Sequence, residues 1–273
     1  MSNVPVIALD AGHGSNTAGK RVTLNGYPDT REWQLNDRII DIVETELRNN
    51  YICKVLRVDD TTGKKDISLS KRVSTANNAN ADVYLSMHHN AGVNGGSGGG
   101  TVVFYYSSNI KRRDQAQKLY NYITDETKLY GNRSQQVIKK GFYVVKKTKM
   151  PAFLVENGFM DSKVDVPIIL SEDHAKKTAE GVLAFLVEQF CIEPKKVSEI
   201  DNTKSSEVIV YYPKYTGKKT TLYSAMTSLK IDASYKHRKE IAKANGIKNY
   251  IGSASQNTQM YNLLVAGLLK KEK

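Results

Sequence analysis

Short apolar runs alternate with amphipathic segments along the first 190 residues, and this alternation constrains the fold more than any other feature. The apolar runs predict strands at VIALD, YICKVLRV, DVYLSMHH, TVVFYY, GFYVV and FLVEN. The segments between them predict helices, among them residues 34–49, 111–130 and 174–190. Because parallel strands need a crossover between them, this order predicts an α/β fold with a mostly parallel, twisted sheet of about six strands flanked by helices.

The character of the chain changes after the last of these helices. Residues 191–206 are polar, contain Pro194 and lack a sustained apolar period, so they predict a linker. Residues 1–190 then form the α/β domain. Residues 207–273 form a small, mainly helical α+β module that begins with one strand at 207–212.

The composition excludes several classes of protein. The sequence contains no uninterrupted apolar run of about 18 residues, so we expect no membrane insertion. Its two cysteines, Cys53 and Cys191, cannot build a disulfide framework or an all-cysteine zinc site, so any metal ligands must be His and carboxylate side chains. The first residues lack the pattern of a secretory signal, so we expect synthesis in the cytoplasm without a signal peptide. A substrate outside the membrane then requires another agent to release the protein.

Polar side chains that suit a metal site lie near the ends of three predicted strands. His13 lies in the AGHG turn, His88 and His89 end DVYLSMHH, Glu156 lies within FLVEN, and Glu32 begins the first long helix. Sites in parallel α/β sheets form at the carboxyl ends of strands. Two imidazoles and one carboxylate leave the open coordination position that catalytic zinc requires. The spacing lacks the compact HExxH pattern, so spacing alone leaves each histidine open to a structural or solvent-facing role.

Five separated motifs follow one another along the chain: VIALDAGHG, REWQLN, LSKRVSTANNANADVYLSMHHNA, GTVVFYY and MPAFLVENGFMDS. In this order, over about residues 4–190, they resemble the zinc-dependent N-acetylmuramoyl-L-alanine amidases of the amidase 3 family. The resemblance implies a peptidoglycan hydrolase that cleaves the amide between the lactyl group of N-acetylmuramic acid and the first L-alanine of the stem peptide. It also implies one catalytic zinc ion.

Residue by residue, the resemblance implies that His13, Glu32 and His88 bind the zinc ion. His89 falls at a variable position of the motif, and its side chain should point to the opposite face of the strand, so we interpret it as peripheral. Glu156 matches the catalytic glutamate of the family. A carboxylate in that place takes a proton from the attacking water and returns it to the amide nitrogen, which leaves poorly unless it is protonated.

Three further residues have two interpretations each. Asp10 either orients His13 by accepting a hydrogen bond from its ring or caps the corner after the first strand. Arg72 either binds a substrate carboxylate or phosphate or forms a structural ion pair. Asn90 either positions the substrate or fixes a turn. The predicted site includes Arg72 and Asn90 as substrate-binding residues and Asp10 as an orienting residue, with the alternatives left open.

The C-terminal module has a separate predicted role. Residues 191–273 carry +8 of the total net charge of +12, which favours an anionic cell-wall polymer as the partner. The string HRKEIAKANGIKNYIGSASQNTQMYNLLVAGLLKK resembles the wall-binding modules of certain Bacillus and Clostridium phage amidases. Self-association through the module is left open. Short helices with a glycine turn also resemble a DNA-binding arrangement, but we predict no nucleic-acid partner, because a DNA reader has no evident role beside a wall amidase.

The combined prediction is a phage or prophage endolysin that lyses its host by cleaving peptidoglycan after release to the wall. Two alternatives keep the same fold, a non-catalytic peptidoglycan-binding protein and a host autolysin. The full set of implied ligands together with Glu156 counts against the first. The missing signal peptide counts against the second.

Overall fold

The computed structural model describes residues 4–132, 134–195, 210–247, 250, 252 and 254–272. The chain divides into two compact units, residues 1–194 and 195–273. Three predictions fall wholly or partly outside the described residues: the linker at 196–206, the strand at 207–209, and the first residues of the signal-peptide prediction at 1–3. The linker and its boundaries therefore stay predictions. Among the residues that the structure describes, no helix combines the length and apolar character needed to cross a bilayer.

The first unit contains the mostly parallel sheet that the sequence predicts. Its strands, within the described residues, are β1 (Val6–Ala11), β2 (Lys54–Arg57), β3 (Val83–Asn90), β4 (Thr101–Tyr105), β5 (Val137–Lys139) and β6 (Ala152–Phe159). They form one six-stranded sheet in the order β2-β1-β3-β6-β4-β5. Neighbouring strands are parallel except for β4 and β6. The carboxyl ends of β1, β3 and β6 therefore lie together at one edge of the sheet.

Helices accompany these strands in chain order. They are α1 (Glu32–Asn50), α2 (Leu69–Asn78), α3 (Ile110–Thr127), α4 (Tyr143–Lys147), α5 (Val166–Ile169) and α6 (Glu172–Gln189). The hydroxyl of Ser68 accepts a hydrogen bond from the backbone of Lys71 at the start of α2, and Ser171 accepts one from His174 at the start of α6. Each serine satisfies a backbone N–H that the beginning of a helix leaves without a partner, so both starts follow from local sequence.

Neighbouring residues of a strand pack against different helices. Leu154 of β6 lies in an apolar cluster with Val73 of α2 and Val144 of α4. The preceding residue, Phe153, points the other way and contacts Phe185 of α6, with ring centroids 5.6 Å apart. Helices α1 and α3 also pack against α6. Consequently α2 and α4 cover one face of the sheet, and α1, α3 and α6 cover the other.

One predicted strand is wrong. The GFYVV segment contributes to helix α4 at Tyr143–Lys147, and the edge strand is Val137–Lys139 instead. Val144 and Val145 are only 3% and 4% exposed, and both lie in the apolar cluster beneath α2 and α4. Adjacent residues of a strand would point to opposite faces. Burial of both side chains in one cluster therefore overrides the strand preference of valine.

The second unit is mainly helical, as predicted. Its described helices are α7 (Leu222–Ser228), α8 (Tyr235–Ala244) and α9 (Ala254–Ala266). Their apolar side chains, including Met226 and Met260, form a separate buried core. In the described part of the predicted strand at 207–212, the pairing is limited to an isolated bridge between Tyr211 and Lys270. This unit therefore has its own core, built mostly from helices.

Candidate active site

Three side chains with metal-binding atoms meet at the carboxyl edge of the sheet. His13 follows β1, His88 lies near the end of β3, and Glu32 is the first residue of α1. The Nε2 atom of His13 lies 3.4 Å from Oε2 of Glu32, and Nδ1 of His88 lies 3.0 Å from Oε1 of the same carboxylate. One ligand atom from each residue lies within 4.8 Å of the others. The fold therefore brings together the His, Glu and His residues that the sequence predicts as ligands.

The turn after β1 contains one residue with a left-handed backbone and two glycines that lie very close to other segments. His13 itself adopts a left-handed backbone with φ of 68°. Gly12 is required because a Cβ atom there would lie 2.1 Å from Cε1 of His88. A Cβ atom on Gly14 would lie 2.8 Å from the backbone nitrogen of Asp66. Glycine thus lets the first loop approach the His88 ring.

The Glu32 carboxylate is the electrostatic centre of the cluster. Its side chain is only 1% exposed. Burial opposes ionisation, but the contacts with His13 and His88 outweigh burial and hold the pKa of Glu32 well below its usual range. In the same way, burial lowers the pKa of His88, but the contact with Glu32 prevails and raises it. A buried negative charge between two imidazoles attracts a cation.

The donor set fits a divalent metal ion. Two imidazole nitrogens and a carboxylate oxygen are the donors that zinc favours, and catalytic zinc sites use three protein ligands. Within the part of the chain that the structure describes, the Oε2 atom of Glu32 is buried and has no well-formed hydrogen bond. The Nζ atom of Lys20 lies 3.7 Å from this oxygen. The cluster therefore offers a charged, under-coordinated oxygen beside two nitrogen donors.

Glu156 lies beside this cluster on β6, where its Cα is the register partner of His88. Burial raises the pKa of Glu156 to about 7. Its Oε2 atom is buried and has no hydrogen-bond partner among the described residues. A carboxyl group whose pKa is close to neutral is suited to accept and return a proton. The structure therefore places the predicted catalytic glutamate next to the predicted ligands.

An open cleft of about 550 Å³ gives access to these groups. Its lining combines the site residues with apolar and charged side chains: Asp10, Gly12, His13, Lys20, Asp66, Ile67, Ser68, Leu69, Arg72, His88, Phe142, Tyr143, Val144, Leu154 and Glu156. This volume lies within the range of about 300–1,000 Å³ that is typical of small-molecule sites. The cluster is therefore accessible to a ligand of moderate size.

Arg72 has a different role from the substrate-binding one in the predicted site. Its side chain is 1% exposed, and all five of its N–H groups donate to protein acceptors: the carboxylates of Asp10 and Asp66 and the backbone oxygens of Ala11, His13 and Ile67. No donor remains for a substrate anion. The structure thus corrects the substrate-binding assignment in favour of the structural ion pair, which fixes the loop that carries His13.

Asp10 does not contact the ring of His13 among the described hydrogen bonds. Its Oδ2 atom accepts hydrogen bonds from the hydroxyls of Tyr84 and Ser86, both at 2.7 Å, and Oδ1 accepts from Arg72. Asp10 therefore joins β1 to β3 at the base of the cleft, which corrects its assignment as the residue that orients His13. The carboxylate nearest to Nδ1 of His13 belongs to Asp66, at 4.0 Å.

His89 lies on the other side of β3, as we expected. It is buried, and its Nδ1 atom lies 2.8 Å from Oδ1 of Asn36. Burial, with a further contribution from His174, lowers the pKa of His89 to about 3. Asn36 also donates to the backbone oxygen of Gly12 at 3.0 Å. The neutral His89 therefore holds Asn36 in place, and Asn36 in turn contacts the loop that carries His13.

Asn90 lies at the irregular end of β3. Its side-chain oxygen accepts a hydrogen bond from the amide of Ala91 at 2.9 Å, and its backbone oxygen accepts one from Met160 at 2.7 Å. It is not among the described residues that line the cleft. These contacts favour the turn-fixing interpretation, and a substrate contact for Asn90 stays a prediction.

Sequence reasoning missed Lys20, which lines the cleft. Its backbone oxygen accepts a hydrogen bond from the amide of Glu32 at 3.0 Å. A bridge between Arg21 and Arg31 closes the intervening loop. The string NGYPD within that loop is a strong turn signal, and it indicates that the chain folds back here. That signal indicated a chain reversal before α1, but the proximity of Lys20 and Glu32 is seen only in the structure.

Comparisons with known proteins agree with this geometry. A family model described as N-acetylmuramoyl-L-alanine amidase matches residues 7–188. The endolysin of Bacillus phage SPP1 is 29% identical over 214 residues, which are 75% of this chain and 76% of that protein. The amidase CwlM of Bacillus licheniformis is 29% identical over 175 residues, 64% of each protein.

Solved structures show the same fold. The crystal structure of an N-acetylmuramoyl-L-alanine amidase from Clostridium difficile 630 superposes with a TM-score of 0.61 at 27% identity, covering 70% of this chain and 98% of that one. The catalytic domain of CwlV from Bacillus (Paenibacillus) polymyxa gives a TM-score of 0.60 at 25% identity, covering 70% of this chain and all of that one. The match to the family model lies entirely within the first unit.

Proposed function

This chain belongs to the N-acetylmuramoyl-L-alanine amidase family, and we propose that it hydrolyses the amide between N-acetylmuramic acid and L-alanine in peptidoglycan with the help of one zinc ion. One observation carries the proposal: the ligand atoms of His13, Glu32 and His88 lie within 4.8 Å of one another. Glu156 lies beside them as the register partner of His88. The resemblance of the sequence motifs supports the assignment of these four residues as the three ligands and the catalytic glutamate.

His13, Glu32 and His88 are the residues that would hold the ion. Bound there, zinc supplies Lewis acidity, which polarises a substrate carbonyl and promotes deprotonation of water. The chain contributes the orientation of the ligands. Glu32 is held at the start of α1, and Gly12 leaves room for the ring of His88.

Glu156 moves the proton in the proposed reaction. Its unpartnered Oε2 atom accepts a proton from the attacking water and then donates it to the amide nitrogen of L-alanine. Protonation is necessary because an amine is a far better leaving group than its anion. In the metal-free protein, burial raises the pKa of Glu156 to about 7, so this carboxyl group can change its protonation state near neutral pH.

The biological role in the proposal is that of a phage or prophage endolysin, made in the cytoplasm and acting on the wall after release. The similarity to the SPP1 endolysin, over 76% of its length, supports this role. The similarity to CwlM of B. licheniformis supports the alternative of a host wall amidase. Expression from a prophage during induction, compared with expression in growing cells, separates the two roles.

The second unit supplies wall attachment in this proposal. Residues 191–273 carry a net charge of +8, which suits an anionic wall polymer. Linking a hydrolase to such a binder raises its local concentration on an insoluble substrate without any new catalytic contact. Sedimentation of the purified protein also tests whether this unit self-associates.

Metal analysis combined with an activity assay tests the proposed chemistry. We expect the purified chain to contain about one zinc ion per molecule and to release new amino-terminal alanine from peptidoglycan. Removing the ion with a chelator should abolish release, and adding zinc should restore it. Full activity of verified metal-free protein would contradict the proposal.

A further inference from the structure

The cleft has two sides of different chemistry. Lys20 lies on the side of α1, where it is near Glu32 and about half exposed. On the other side, Ile67, Leu69, Phe142 and Tyr143 form what we call the apolar wall. Leu69 begins α2 and Tyr143 begins α4, the two helices that cover the opposite face of the sheet from α1. The charged side and the apolar wall therefore flank the metal-binding cluster.

Two large side chains of the apolar wall are exposed. Leu69 is 53% exposed and Tyr143 is 41% exposed, and both line the cleft. Burial of such side chains would stabilise the fold, and the exposed positions of Leu69 and Tyr143 forgo that gain. Exposed apolar groups that lie together beside polar site residues are typical of ligand contacts. A purely structural role explains the buried Val144 of α4, but it does not explain Tyr143.

The apolar wall is held firmly in place. Val144 and Val145 anchor α4 in the core. Near the end of α2, the side chain of Asn77 donates to the backbone oxygen of Lys147 at 3.1 Å and accepts from the amide of Lys149 at 2.9 Å. These contacts fix α2 and α4 against each other. Leu69 and Tyr143 therefore lie on a rigid support. This favours binding, because little conformational entropy is lost when a ligand contacts them.

We infer that the apolar wall binds the sugar ring of the muramoyl group, with the stem peptide on the side of Lys20. This orientation rests on the proposed function, because it takes the amide as lying at the cluster. On one side of that amide the substrate has a neutral sugar with apolar C–H and methyl groups, which pack against aromatic and aliphatic side chains. On the other side it has a peptide with free carboxylates, which Lys20 attracts.

Two soluble probes test this orientation by equilibrium binding. One is an N-acetylmuramoyl tripeptide, and the other is the matching lactoyl tripeptide, which has the same amide and peptide but no sugar. Binding is measured by calorimetry on the full, zinc-loaded chain carrying Glu156→Gln, so that neither probe is hydrolysed. Tyr143→Ala and Leu69→Ala are then added singly. Tyr130→Ala is the matched control, because Tyr130 is 44% exposed in the same unit but is not among the described residues lining the cleft.

The account predicts a selective effect of the two wall substitutions. Each should weaken binding of the muramoyl probe about three- to tenfold and leave the lactoyl probe within about twofold, since one sugar contact is lost. Tyr130→Ala should change neither. Equal weakening of both probes, or no weakening of either, would overturn the orientation while leaving the proposed function intact. If the zinc-loaded Glu156→Gln chain without a wall substitution binds neither probe, that result would contradict the proposed function and this orientation together. Thermal unfolding of each variant checks that the exposed substitutions leave the fold unchanged.

Discussion

The Cα atoms of His88 and Glu156 are register partners in the parallel strands β3 and β6. The pairing places the imidazole of His88, a proposed metal ligand, next to a carboxyl group of raised pKa at the carboxyl edge of the sheet. Backbone hydrogen bonds between the strands set this relationship, and the register shifts only after His88. The proposed base is therefore positioned by the sheet itself, and substitutions at Glu156 test chemistry with little change in structure.

Glu156→Gln should separate metal binding from catalysis. The amide cannot accept the proton of the attacking water, so release of amino-terminal alanine should fall by about 10²- to 10⁴-fold. The zinc content should stay the same, because Glu156 is not in the ligand cluster. The exposed Glu172→Gln is the control for loss of one negative charge. Loss of the metal in Glu156→Gln, or activity close to that of the parent, would show that the role of Glu156 is misassigned.

The same substitution should stabilise the metal-free protein at high pH. The folded pKa of Glu156 is about 7, against 4.5 for the ordinary side chain. The folded state therefore holds the proton more tightly, and the stability of the parent falls as pH rises from about 4.5 to 7. Glu156→Gln should raise the free energy of unfolding by an amount on the order of 3 kcal/mol at pH 8 and by little at pH 4. Denaturant titrations at both pH values provide the measurement, and equal differences at the two would rule out this effect of burial.

The neighbouring histidines should respond differently to substitution. His88→Ala removes a ligand and should lose most bound zinc. His89→Ala should retain zinc, but it leaves the Oδ1 atom of Asn36 without the ring of His89 as its partner and should lower the free energy of unfolding by about 1–3 kcal/mol. Metal analysis after dialysis, together with thermal unfolding, distinguishes the two. The opposite pattern of metal retention would reverse the assignment.

Substitution of Arg72 should lower the stability of the fold rather than weaken a substrate contact. Arg72→Met leaves the buried carboxylate of Asp10 without its ion-pair partner, so the free energy of unfolding should fall by about 3–5 kcal/mol. Adding Asp10→Asn should recover part of that loss, because the unpaired charge is then removed. Denaturant unfolding of both variants measures the effect. A stable Arg72→Met protein with only a raised KM would instead indicate a substrate contact.

Residues 1–194 alone should remain a folded hydrolase, because this unit contains the whole sheet and the ligand cluster. It should cleave soluble muramoyl peptides at the rate of the full chain but bind less to isolated cell walls. Binding of the full chain should weaken as salt is raised, since exposed charges are screened. Co-sedimentation with cell walls provides the measurement, and equal retention of both proteins would remove the proposed role of the second unit.

The sheet was predictable from the alternation of apolar runs and amphipathic segments, whereas the ligand set was implied by the resemblance of the motifs to the amidase family. Parallel strands place their carboxyl ends at one edge, so His88 and Glu156 were expected at the same edge of the sheet. Only the strand order of the folded sheet makes β3 and β6 neighbours. The wrong strand at GFYVV shows the limit of this reasoning. The valines favour a strand locally, and only the shared burial of Val144 and Val145 against α2 selects the helix.

Other features depend on contacts that sequence patterns do not contain. The five donors of Arg72 are all taken by groups from distant segments and from its own loop, so its structural role appears only in three dimensions. The need for glycine at position 12 depends likewise on the ring of His88, which lies 76 positions along the chain. Because the sequence wrongly predicted a strand at GFYVV, it gave no indication that Tyr143 is exposed at the cleft.

Identification of the bond that is broken tests the central claim most directly. Purified peptidoglycan is digested with the zinc-loaded full chain, and mass spectrometry with amino-terminal labelling identifies the products. The account predicts peptides that begin with free L-alanine and glycan strands that keep their length and carry unsubstituted lactyl carboxyl groups. New reducing ends on the glycan, peptides cut beyond L-alanine, or undigested peptidoglycan would contradict it.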